Sequence, residues 1–79
     1  MIKLGEIYKS LDENLHLLNE KAERLEEQEA QIEDQIADED RQPTNDEQKK
    51  LDRITSMLDD IDNTCEYLAR AMSYLRYYN

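Results

Sequence analysis

Glu13 and His16 stand three residues apart, the Glu-x-x-His spacing with which carboxylate-bridged di-metal bundles present two ligands on one helix face. Such ligands must project into a bundle core. Here the core stripe belongs to Leu11, Leu15 and Leu18, which puts Glu13 on the opposite side and His16 one step outside the stripe. No metal site is expected, and His16 reads as a solvated surface residue. Asp38, Asp40, Gln42, Thr44 and Asp46 alternate as the ligands of a calcium loop do, but counting from Asp38 puts Pro43 where the turn needs Gly and Lys49 where the bidentate Glu belongs. Cys65, the single Cys, falls between Ile61 and Leu68 on an apolar stripe and reads as a small core side chain rather than a reactive thiol. One Cys, one His and one Gly supply neither a nucleophile with its base and orienting acid nor a phosphate-cradling loop. Neither catalysis nor a bound cofactor is expected.

What remains for chemistry is charge and aromatic surface. The chain has 20 acidic and 10 basic residues, a formal charge of −10. From Glu26 to Asp40 run Glu26, Glu27, Glu29, Glu33, Asp34, Asp38, Glu39 and Asp40 without one Lys or Arg. A rigid row of carboxylates either keeps a small protein soluble or docks on a basic partner, standing in for a nucleic-acid backbone. The same charge argues against direct nucleic-acid binding, which needs clustered Lys and Arg. Near the other end Tyr67, Ala71, Tyr74 and Tyr78 recur at i, i+4, i+7 and i+11, one narrow stripe of a helix. Tyr adds large contact area while its hydroxyl stays hydrogen-bonded, so the stripe is the best interface candidate. The partner-binding candidates are thus Tyr67, Tyr74 and Tyr78 with Glu33, Asp34, Asp38 and Glu39.

Two helices must position these groups. Met1, Tyr8, Leu15, Ala22, Glu29 and Ile36 form one row of a heptad, and Leu4, Leu11, Leu18, Leu25, Ile32 and Glu39 the other; all are apolar except Glu29 and Glu39. A second seam, apolar throughout, runs through Leu51, Leu58, Cys65 and Met72 and through Ile54, Ile61, Leu68 and Leu75. Alternating steps of three and four residues keep each set on one stripe of an α-helix. Between the seams Pro43 lacks a backbone donor and turns Gln42 away from helical geometry. Thr44 and Glu47 match a capping box, which starts the second helix at about Asn45. Ser10 and Glu13 make the same pattern and offer a competing start at Leu11, although the seam continues unbroken back through Leu4.

The expectation is an all-α, antiparallel two-helix hairpin forming a single domain over 1–79, with helix 1 at about 3–39, a loop at 40–44 and helix 2 at about 45–78. Each helix would be about 50 to 55 Å long at 1.5 Å per residue. A hairpin this small has little core, so it is expected to complete a four-helix bundle as a homodimer or in an obligate complex with a partner protein. Glu29 breaks the first seam, and Lys50 or Arg53 on the facing helix is placed to pair with it. Ile7, Tyr8, Leu11 and Leu17 should lie near the C-terminal half of helix 2. No apolar run approaches the roughly 20 residues of a membrane span, and no secretory signal is readable at the N-terminus, which predicts a cytoplasmic address.

In length, charge and helix count the layout is similar to the small helical-hairpin chaperones that cover secretion-needle subunits, and to small acidic phage proteins that block host defence. The likeness rests on no motif. It implies a non-enzymatic, acidic protein-binding module that occupies a functional surface of a larger, basic or nucleic-acid-handling protein, for example a phage-encoded inhibitor of host defence. The alternative is a small chaperone or structural subunit that buries a partner's apolar surface.

Overall fold

The computed structural model describes residues 3–78, the side chain of Tyr78 excepted. Two helices, α1 (Leu4–Asp38) and α2 (Asn45–Tyr78), pack against each other as a hairpin. The α1 helix begins at Leu4 rather than at the alternative start after Ser10, whose carbonyl accepts a hydrogen bond from Asn14 Nδ2 at 2.9 Å.

The turn is specified atom by atom. Asp40 takes the left-handed conformation, φ 50°, that lets a chain leave a helix. In consequence the Asp40 amide donates to the Ala37 carbonyl at 3.1 Å and the Arg41 amide to the Ile36 carbonyl at 3.4 Å, satisfying two of the last carbonyls of α1. Across Pro43 the capping box closes: the Glu47 amide donates to Thr44 Oγ1 at 3.1 Å and the Thr44 amide to Glu47 Oε1 at 3.0 Å.

Cross-helix contacts fix the antiparallel register. Cys65 Sγ lies 3.7 Å from Asn19 Oδ1, and the Arg76 guanidinium donates to the Tyr8 hydroxyl at 2.7 and 3.1 Å while standing 5.5 Å from the centre of the Tyr8 ring. Residue 19 therefore runs beside 65, and 8 beside 76.

The core is thin. Among the described residues only Leu25, Ile54 and Ile61 are buried, with Leu18, Ala22, Ile32, Met57, Leu58 and Cys65 packed around them. Leu11, Leu15, Leu68, Met72 and Leu75 on the seam are only half-buried, and Leu4 is exposed. Leu17 departs from the expectation that it packs near α2. It stands off the seam between Leu15 and Leu18 and is 61% exposed. The molecule measures 58 × 18 × 15 Å with a radius of gyration of 17.7 Å, against about 12 Å for a compact chain of this length. Two helices alone cannot surround their own apolar stripes.

Candidate protein-binding surfaces

At the loop end the charges are organised by one cation. The Arg41 guanidinium makes a bidentate pair with Glu47, Nη1 to Oε1 at 2.5 Å and Nη2 to Oε2 at 2.9 Å, while its Nε donates to Glu39 and Nη1 also reaches the Gln42 carbonyl at 3.2 Å. A planar fork matched to a carboxylate favours this geometry. The hydrogen bonds from Arg41, joined by that from the Thr44 amide, hold the Glu47 carboxyl down to about 2 from its ordinary 4.5. Arg41 also lowers the Glu39 carboxyl, and the two carboxylates raise the guanidinium in return. Glu39 is thus engaged within the loop. Glu33, Asp34 and Asp38 stand exposed on α1. Helical periodicity turns neighbours about 100° apart, so these three share an end of the rod rather than a single stripe.

Glu29 is half-buried on the seam, and among the described residues no ion pair joins it to Lys50 or Arg53, contrary to that expectation. Both bases instead line a groove along one side of the hairpin with Gln28, Gln31, Leu25, Ile32, Ile54 and Met57. The opposite end carries the aromatic surface. Tyr67 is 70% exposed and Tyr74 67%; the side chain of Tyr78 lies outside the described residues. Ala71, placed in the same stripe by spacing, is half-buried against α1. Tyr77, 84% exposed, was not singled out by the stripe, yet it joins Tyr74 in a shallow groove with Glu66, Ala69, Arg70 and Ser73. Its signal in the sequence was the i, i+3 step from Tyr74, which continues Tyr67, Arg70, Tyr74 at heptad spacing.

The chain matches no family model, no curated protein and no solved structure. What the surfaces do must therefore be read from the residues themselves. Glu13 and His16 are both exposed, with His16 Nε2 3.6 Å from Asp12 Oδ2, and among the described residues no three His, Cys, Asp or Glu side chains converge as metal ligands would. Cys65 is half-buried against the core cluster. No helix among the described residues is long and apolar enough to cross a membrane. The arrangement offers contact area and charge at two separated places on a stiff rod.

Proposed function

We propose that this chain is a non-enzymatic protein-binding module. The carboxylates of its loop half, Glu33, Asp34 and Asp38 foremost, dock on a basic surface of a larger protein, such as a phosphate-binding groove. Tyr67, Tyr74 and Tyr78 supply contact area, and Glu39 contributes through the Arg41-held loop. A four-helix bundle, completed by a second copy or by the partner, covers the seam. The observation that carries this reading is the seam itself: an all-helical rod with three buried residues among those described leaves half-covered apolar surface and exposed tyrosines that another chain would bury.

Capture of partners from the native cell tests the proposal. A partner held at low salt should be released by moderate salt and lost by the combined variant Glu33→Gln, Asp34→Asn, Asp38→Asn, Glu39→Gln. Unchanged capture by that variant would reduce the acidity to a solubility device.

One observation favours a second reading. Leu11, Leu15, Leu18, Leu68, Met72 and Leu75 are all half-buried along the seam, as in a chaperone or structural subunit that lends an apolar groove to its client. Capture would then resist salt and fail when Leu68 and Met72 are made polar.

A further inference from the structure

The two sides of the hairpin are not alike. In packed helices, residues seven apart keep the same side. On α1, Leu17 and Arg24 precede Gln31 at steps of seven; on α2, Asp60, Tyr67 and Tyr74 follow Arg53 at the same step. Gln31 and Arg53 both line the groove that also holds Lys50 and reaches down to Leu25, Ile32, Ile54 and Met57. Exposed Leu17, Tyr67 and Tyr74 therefore stand in rows on the grooved side, further along the rod, and the Tyr74 ring also borders the outer groove of α2 with Ala69 and Ser73. The other side carries the row Asn19, Glu26, Glu33 on α1, fixed there by the Asn19–Cys65 contact, and the row Asp62, Ala69, Arg76 on α2. The grooved side carries Arg24, Lys50, Arg53 and two tyrosines with Asp60, and the other side carries Glu26, Glu33 and Asp62 with Arg76.

From this we infer that a second copy of this chain packs antiparallel against the grooved side, seating Tyr67 and Tyr74 of each copy in the groove of the other. The inference rests on the reading of the hairpin as a binding module with an unfinished bundle, and names the chain that finishes it. Three observations support it. The first is position. Full overlap of two antiparallel rods puts the two-fold axis at the middle of α1, at Lys21. By the observed register Tyr67 runs beside residue 17 and Tyr74 beside residue 10, so the axis lays this stretch over residues 25–32 of the other copy, where the groove is. Both stretches are about 10 Å long.

The second observation is charge. Tyrosine faces meet Arg53 and Lys50, which attract aromatic rings. The third is area. The chain exposes 6540 Å², while a compact 9.4 kDa chain exposes about 5,000 Å². The excess is about 1,500 Å² per copy, or about 3,000 Å² for a pair, inside the range of about 2,000–5,000 Å² for obligate homodimers. Such a dimer takes up Tyr67 and Tyr74 itself and keeps Glu26, Glu33 and Asp62 outward on both faces, so that the acidic surfaces, rather than these two tyrosines, are left for docking.

Sedimentation equilibrium of the full chain should return twice the chain mass of 9.4 kDa. Joint Tyr67→Lys and Tyr74→Lys substitution, which sets like charge against Lys50 and Arg53, should weaken the dimer by about 100-fold or more, while Asn19→Lys on the other side should not. Geometry is read by cross-linking in a Cys65→Ala background. Gln31→Cys with Tyr74→Cys should form a disulfide between copies, and Tyr74→Cys alone should not, since the two Tyr74 positions would lie about 30 Å apart. A monomer at micromolar concentration, efficient self-linking of Tyr74→Cys, or a dimer broken by Asn19→Lys but not by the tyrosine variants would each overturn the proposal. Any of these would leave salt-dependent partner capture untouched, so the docking reading stands or falls separately.

Discussion

Arg41 is the residue on which the turn depends. It bridges Glu39, at the end of α1, to Glu47, in the first turn of α2, so one guanidinium ties the two helices across six residues of loop. The pH dependence follows with a definite sign. Because the Glu47 carboxyl sits at about 2 in the folded chain against an ordinary 4.5, the stability it brings is whole above 4.5 and is lost as pH falls toward 2. Glu47→Gln keeps a side-chain acceptor for the Thr44 amide but gives up the ionic pair. It should lower the urea midpoint at pH 7 and make no difference near pH 2. A gap between variant and parent that stays constant across that window would show the pair to be inert. Asp40 offers the complementary test. Its φ of 50° costs an L side chain, and it adds a negative charge just past the C-terminal, negative end of the α1 dipole. Asp40→Gly should stabilise the hairpin by about 0.5–1 kcal/mol in chemical denaturation.

At the level of elements, what was legible in the sequence follows from periodicity. The two seams, the bend at Pro43 and the capping box at Thr44 and Glu47 are local signals, and the helices and their antiparallel packing obey them. Details that depend on how one helix turns against the other were not legible. Leu17 looked available to α2 because it is apolar and near in register, but its flank is open. Lys50 and Arg53 looked available to Glu29 for the same reason, yet they line the groove. The left-handed Asp40 had only a weak signal, since Asp tolerates that conformation but four other acids of the same helix end (Glu33, Asp34, Asp38 and Glu39) do not adopt it, and the Arg41 bridge had none. Of the candidate binding surface, the sequence located both ends and two exposed tyrosines but passed over Tyr77, because the stripe was drawn through Ala71 and Tyr78. The half-buried Glu29, with no ion pair among the described residues, yields a prediction at this scale: Glu29→Leu should stabilise the hairpin by about 1 kcal/mol in chemical denaturation, because a half-buried carboxylate is replaced by a seam residue. Loss of stability would mean that Glu29 has a compensating partner in the assembled form.

As a whole molecule the chain is a stiff, polarised rod. Residues 20–62 hold sixteen acids and six bases, equal to the full formal charge of −10, whereas the tyrosine end is neutral in sum. Raising salt from about 10 mM to about 150 mM should raise Tm by screening this repulsion, and a Tm that falls instead would place the dominant electrostatics in attractive pairs such as that of Arg41. The thin core sets the larger expectation. With three buried residues among those described, most of both seams is left waiting for cover, and a chain that covers them must bind the folded form more tightly than the unfolded one. The most direct measurement is Tm of the purified chain against its own concentration, from about 1 μM to about 100 μM. The account predicts a steady rise, because unfolding of a paired bundle releases two chains. A Tm independent of concentration would contradict it, showing that no second copy of the chain covers the seam.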